Sequence, residues 1–368
     1  MYRKNLLLDA TLIDRRPSGT ATRLAGLLEA YVRLFGADEL TLLYDSERPP
    51  SVELCSAGMR VIASHPPRGP LLRWLFGSRF LEEMVHRAGA CAVLTDALPP
   101  PRVRSARVLA TVHDLRFLDP AISSRLRRTG GRHVVLPRLR TVYRVVAVSD
   151  AMARAVCEAA RLPPARVVVL PNGVIVPPQR QPRAAPPADQ PLTVVVLGHL
   201  ERRKDPRTAL RGFAAWAKRE PRARLVVAGS DREGLEGNLR GMARQLELDR
   251  RVAFLGPVDA ATKETLLASA FAVVLASLHE GFGLVGLEAQ AHGTPVVASA
   301  LASHREVFGD GAWFFLPGQA EELAASLRSL PESWDVLSRL ALENARHWTW
   351  EATAKALRQV QQEAMADH

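Results

Sequence analysis

Between Ser277 and Ser299 the chain reads SLHEGFGLVGLEAQAHGTPVVAS, with Glu280 and Glu288 eight positions apart. Gly281, Phe282 and Gly283 allow a sharp turn. Leu284, Leu287 and Ala291 then recur at helical spacing, Gly293 suits a C-terminal stop, and PVVA reads as a buried strand. Glu288 falls on the stripe that those apolar residues would turn toward the core. A carboxylate there is costly unless hydrogen-bond donors meet it, and sugar and ribose hydroxyls are such donors. The turn would also aim the backbone amides of Gly281 to Leu284, at a helix N-terminus, toward an anion. Taken singly, Glu288 can snorkel to a solvated edge and EGFG can be a plain helix cap. The whole string argues for a ligand site.

A second constellation, Gly198-His199-Leu200-Glu201-Arg202-Arg203-Lys204-Asp205, follows the apolar run LTVVVL. An arginine fork grips two phosphate oxygens and a lysine acts as a point charge, so Arg203 and Lys204 suit a departing diphosphate. A basic loop is usually only solvated; a strand-end position in the same half as the paired glutamates favours the ligand reading. His113-Asp114 ends the run RVLATV and can accept a proton or bind hydroxyls. No Ser or Cys stands beside it in a nucleophile elbow, and a loop histidine satisfied by its neighbours is the plain alternative. Asp-x-Asp, the usual metal–diphosphate clamp, does not occur. Arg203, Lys204 and a helix N-terminus can do the work of Mg²⁺, so no metal or other cofactor is expected.

Together these strings resemble the E-x7-E signature and its companions in the retaining glycosyltransferases of family 4. The resemblance implies an α/β GT-B architecture, two facing Rossmann-like domains with a cleft between them and a C-terminal helix crossing back. It implies that Glu280 contacts donor-sugar hydroxyls and Glu288 holds the nucleotide ribose. The amides of Gly281, Phe282, Gly283 and Leu284 would face sugar and diphosphate. The Gly198 to Asp205 segment resembles the G-x-L-E-x-R-K-N form of a mannosyltransferase-like branch, with Arg203 and Lys204 as the diphosphate pair and Asp205 for the usual Asn. His113-Asp114-Leu115 resembles the HDL of that branch, which borders the acceptor pocket and donor sugar. Ser149, Asn172-Gly173, SHREVFGD (303–310) and Trp350-Glu351 fit the same outline. The specific motifs span roughly residues 105 to 360. One departure is Gly19-Thr20-Ala21-Thr22-Arg23, where relatives have G-x-G-R-Y, a loop against the donor phosphates. Gly19 matches, but Ala21 reaches positive φ less cheaply than Gly, which leaves that loop's shape open.

The elements that must position these residues alternate short apolar strands with amphipathic helices, the pattern of a mainly parallel sheet. Strands are expected at NLLLDA, ELTLLYD, GMRVIAS, CAVLTD, RVLATVHD, YRVVAVS and RVVVLP. In the second half they are expected at LTVVVLG, ARLVVAG, RVAFLG, FAVVLAS, TPVVAS and WFFLP. Helices are expected over 206–220, 235–246, 260–268 and 350–365. With 368 residues, two domains are expected. The first spans 1–175, a Pro-rich linker 176–191, a nucleotide-sugar domain 192–349, and a crossover helix 350–368. A content of 47% hydrophobic and 24% charged residues excludes disorder. Cys55, Cys91 and Cys157 form no metal-ligand spacing and read as reduced thiols of the cytoplasm. The N-terminus reads as a first strand rather than a signal peptide, and no apolar run is long enough to span a membrane.

The net charge of +11 is uneven: residues 60–144 hold sixteen arginines against five acids, and the rest of the chain balances. Within that region Arg68, Arg73 and Arg79 interleave with Leu71, Leu72, Trp74, Leu75, Phe76 and Phe80. This mixture suits an anionic membrane surface, reached peripherally from the inner face. A solvated basic face with Trp74 in the core is the alternative. Nucleic acid is not expected, because no reading module is present. The expected activity is retaining transfer of a sugar to a glycan or lipid-linked acceptor in cell-surface polysaccharide synthesis. GDP-mannose is favoured as donor, with a UDP-sugar second. A catalytically impaired nucleotide-sugar binder stays open. So does, more remotely, a NAD-type oxidoreductase, although its strand-first G-x-G-x-x-G is absent.

Overall fold

The computed structural model describes residues 5–13, 18–49 and 58–366. Cys55 lies outside them. The chain divides into two compact units, residues 1–173 with 349–368, and residues 174–348.

The first unit is built on a seven-stranded, wholly parallel sheet in the order β3-β2-β1-β4-β5-β6-β7. Its strands are β1 (Asn5–Asp9), β2 (Leu40–Asp45), β3 (Arg60–Ser64), β4 (Ala90–Thr95), β5 (Arg107–Val112), β6 (Arg144–Ala147) and β7 (Val167–Val169). Helices α1 (Gly19–Phe35), α2 (Pro70–Ala88) and α3 (Asp150–Ala160) make the crossovers. Central strands such as LLL in β1 and ACAVLT in β4 are buried throughout, as expected for a sheet covered on both faces.

The second unit carries a six-stranded parallel sheet in the order β10-β9-β8-β11-β12-β13. Its strands are β8 (Leu192–Leu197), β9 (Ala223–Ala228), β10 (Val252–Gly256), β11 (Ala272–Leu275), β12 (Val296–Ser299) and β13 (Ala312–Phe315). Its helices are α4 (Pro206–Ala217), α5 (Glu236–Gln245), α6 (Ala260–Ser269), α7 (Leu284–Ala291), α8 (Ala302–Phe308) and α9 (Ala320–Ala345). Trp216 stacks on Phe271 with ring centroids 5.8 Å apart, and the fully buried Trp334 of α9 donates from Nε1 to the Phe271 carbonyl at 2.8 Å.

The last helix, α10 (Trp350–Ala366), returns to the first unit and packs on α1. Tyr31 donates to Gln361, and Arg358 donates to the Tyr31 hydroxyl at 2.9 Å. Trp350, Ala354 and Leu357 enter the same core as Leu6, Leu27 and Leu42. The Pro-rich stretch 176–191 has neither helix nor strand, yet it is held along the second unit. The Arg183 amide donates to Ser338 Oγ at 2.8 Å and its guanidinium to Thr294 Oγ1 at 2.6 Å.

Candidate functional site

Ligands of open parallel sheets meet the carboxyl ends of the strands where the strand order reverses. In the second unit that point lies between β8 and β11. Gly198 follows β8 and the loop to Glu280 follows β11, so both sequence constellations arrive together. The Leu278 amide donates to the Arg203 carbonyl at 2.7 Å, tying the two loops. Gly198 holds φ +129°, and a Cβ there would lie 2.5 Å from Lys204 Nζ. Only glycine lets the ammonium rest against the strand end. Asp205 sits at φ +41° and caps α4, accepting from the Thr208 amide at 3.2 Å with Pro206 at the first helical position. Asp tolerates this backbone as Asn does, which accounts for the replacement.

The cations are not equivalent. Arg203 donates through Nη1 to Glu280 at 2.9 Å and through Nε to Glu201 at 2.6 Å. Burial would raise the Glu280 carboxyl, but Arg203 and Lys204 outweigh it and hold it down to about 2. Among the described residues no carboxylate lies within 4.0 Å of the Lys204 ammonium, and burial lowers its pKa. The cation left without a partner carboxylate is therefore Lys204. His199, on the same loop, is held down to about 4 by burial and by Arg232 and Lys204, so it is neutral near pH 7.

The turn before α7 is fixed by packing. Gly283 has φ +94°, and a Cβ would meet the Phe308 ring at 2.6 Å. Phe282 is 3% exposed and packs edge-on against Trp348, so only its backbone is available to a ligand. Helix α7 is buried nearly all round rather than on one stripe; Leu284 itself is half-buried. Glu288 is met by a residue the spacing did not reveal: Lys263 of α6 donates to its Oε1 at 2.6 Å. Its other oxygen, Oε2, is buried with no partner among the described residues. Burial raises the Glu288 carboxyl, against the pull of Lys263. His304 of α8, fully buried, hydrogen-bonds through Nδ1 to the Ser299 carbonyl, leaving Nε2 beside Gly283.

In the first unit the strand order reverses between β1 and β4. Asp9 ends β1 and accepts from Thr95 Oγ1 at 2.7 Å. His113 follows β5, and its Nε2 lies 3.2 Å from Asp96 Oδ2. Burial would raise Asp96, but His113 and Arg23 hold its carboxyl low. The carboxylate in ion-pair range of His113 is therefore Asp96. Asp114 instead caps the following turn, accepting from the Arg116 amide at 3.1 Å. Gly19, Thr20 and Ala21 form the first turn of α1 under a Ser18 cap, not a glycine loop, and no positive φ is demanded of Ala21. Arg23, 5% exposed, donates to Asn172 Oδ1 at 2.7 Å.

Residues 17–176 match the model for Glycosyltransferase Family 4 and residues 179–348 the model for Glycosyl transferases group 1. A D-inositol 3-phosphate glycosyltransferase of Actinosynnema mirum is 32% identical over 276 residues, covering 70% of this chain and 65% of that protein. One from Mycobacterium avium is 31% identical over 313 residues, covering 81% and 68%. The chain thus spans about two thirds of the length of these relatives. Among solved structures, sucrose-phosphate synthase from Thermosynechococcus elongatus superposes with a TM-score of 0.78 at 20% identity, covering 100% of each chain. Anabaena HepE in complex with UDP and glucose gives 0.75 at 17% identity, covering 97% of this chain and 98% of that one. At such identities the likeness is one of fold. The family models, the relatives and the fold agree: the chain belongs to glycosyltransferase family 4 and has the GT-B architecture.

Proposed function

We propose that the protein transfers a hexose from a nucleoside-diphosphate donor to a hydroxyl acceptor, with retention of anomeric configuration and without a metal. The observation that carries this reading is the carboxyl-end cluster of the second unit. A Lys204 ammonium with no carboxylate in ion-pair range, a helix N-terminus at Gly283 and a buried Glu288 oxygen with no partner among the described residues suit a diphosphate and a ribose. Glu280 would trade its contact with Arg203 for donor-sugar hydroxyls. The departing diphosphate would take the acceptor proton as the new glycosidic bond forms on the same face, so no covalent nucleophile is needed. His113, facing Asp96, is the first unit's candidate for binding an acceptor hydroxyl.

GDP-mannose is the first donor to try, on the strength of the His113-Asp114-Leu115 and Gly198–Asp205 segments. UDP-sugars come next, since the solved HepE neighbour holds UDP. Thermal unfolding with GDP, UDP, ADP and dTDP reads the base directly. A diphosphate at a hundred times its dissociation constant should add about 2.7 kcal/mol of stability. If none of the four raises the midpoint, the donor reading fails. Turnover with the stabilising donor, in EDTA and with the product anomer read by NMR, then tests retention and metal independence. Acceptors to compare are D-inositol 3-phosphate, which the relatives' name prints, and lipid-linked glycans.

For the lipid-linked class the support is α2. Leu71, Trp74, Leu75 and Phe76 are each more than half exposed, while Leu81, Met84 and Val85 are buried farther along. The core position considered for Trp74 is thus not adopted. The first two turns present apolar residues beside Arg73 and exposed Arg79, a surface suited to an anionic bilayer. Arg68 is occupied by Asp45 and Glu47 and is not part of this surface. Among the described residues no helix is long and apolar enough to cross a membrane. Trp74→Ser with Phe76→Ser should abolish sedimentation with phosphatidylglycerol vesicles at low salt and leave donor hydrolysis unchanged. Wild-type protein that stays in the supernatant would make a soluble acceptor the better reading.

A further inference from the structure

The sheet edge opposite His113 and Asp96 holds a feature that the transfer reaction does not use. Arg107 opens β5, Arg144 opens β6 and Arg166 immediately precedes β7, so the amino ends of three neighbouring strands each bring a guanidinium. With Arg104 and Tyr143 they line a cavity of about 550 Å³. That is the size range of small-molecule sites.

Arg144 and Arg166 are held largely by neutral groups. The guanidinium carbons of Arg144 and Arg107 lie 4.4 Å and 5.4 Å from the Tyr143 ring centroid. Arg166 donates through Nε to the Tyr143 carbonyl at 3.2 Å and through Nη2 to the Val142 carbonyl. Arg144 donates to the Tyr143 carbonyl at 3.3 Å and meets Glu363 only at 3.8 Å. The nearby Glu82 carboxylate is engaged by the backbone amides of Arg104 and Ser105 at 2.7 and 3.1 Å. Carbonyls and an aromatic ring fix a guanidinium's direction without cancelling its charge. Several such groups around one hollow form a preorganised site for an anion with more than one charged group. Arginine favours the forked geometry of phosphate.

We infer that this cavity is a second anion site, separate from the donor site, which binds a ligand bearing two or more phosphates. The Lys204→Met variant removes the donor-site cation that has no carboxylate in ion-pair range and keeps Arg203 with Glu201 and Glu280, and titration calorimetry with inorganic tripolyphosphate then reads the cavity. The expected result is one remaining site per chain. Adding Arg104→Gln and Arg144→Gln should weaken it at least tenfold. Should the Arg144 change prevent folding, Arg104→Gln alone, at an exposed side chain, should still weaken it severalfold. No binding in Lys204→Met, or an affinity indifferent to both arginine changes, overturns the inference. Competition separates two sources of the phosphate. Tripolyphosphate that releases Lys204→Met from phosphatidylglycerol vesicles points to lipid headgroups. Binding without such release points to a soluble ligand.

Discussion

Lys204→Met is expected to lower kcat by roughly 10²–10³-fold while changing the donor KM much less. The diphosphate gains charge as the glycosidic bond breaks, and Lys204 is the half-buried cation with no carboxylate in ion-pair range among the described residues. No carboxylate in contact occupies its donors, so they can reach the leaving group. Arg203 already spends its guanidinium on Glu201 and Glu280. Removing Arg203 would take the nearest cation from Glu201 and Glu280, so its kinetic loss would be mixed with a folding loss. The pH profile separates charge from shape. Burial lowers the Lys204 pKa, so the ammonium loses its proton at a lower pH than an exposed lysine, and activity should fall on that alkaline limb. Lys204→Arg keeps its proton and should push the limb upward. A KM effect with unchanged kcat would reduce Lys204 to a ground-state contact, and an alkaline limb identical in Lys204→Arg would assign the titration elsewhere.

The strands are legible because parallel strands buried on both faces need uninterrupted apolar runs, and LTVVVL, ACAVLT and RVLATV are such runs between turn residues. The position of Glu280 and Arg203 at one switch point is legible for the same reason, since each motif closes a strand. Other features have no local signal. Helix α9 carries Pro331 in its interior, and a proline inside a periodic pattern argues against the helix that packing nevertheless sustains. The docking of 176–191 through Arg183 looks, in sequence, like a Pro-rich tether. Asp96 faces His113 across two adjacent strands, and the neighbouring Asp114 masks it because proximity in sequence suggests the wrong partner. Lys263 sits on a different helix from Glu288, twenty-five residues away, so no helical or strand period connects them. Arg104, Arg107, Arg144 and Arg166 register only as excess charge until parallel pairing aligns the strand starts.

Lys263 changes how Glu288 should be tested. Glu288→Ala is expected to weaken nucleotide binding by roughly 10- to 150-fold, the 1.5–3 kcal/mol of a hydrogen bond to a charged group. It also strips Lys263 of its partner, so a fall in affinity alone does not prove contact with ribose. A chemical counterpart does. If Oε2 accepts a ribose hydroxyl, wild-type protein should bind the 2′,3′-dideoxynucleotide as weakly as the variant binds the natural one, and the variant should not distinguish the two. Acid should act in the same direction. Burial raises the Glu288 pKa, so the carboxylate is lost as pH falls through a range above that of an ordinary glutamate. Nucleotide affinity should decline there in the wild type, remain flat in Glu288→Gln, and decline from a higher pH in Lys263→Met, which removes the cation that opposes protonation. Equal losses for natural and dideoxy nucleotides in Glu288→Ala would remove the ribose contact and leave Glu288 as the buried partner of Lys263.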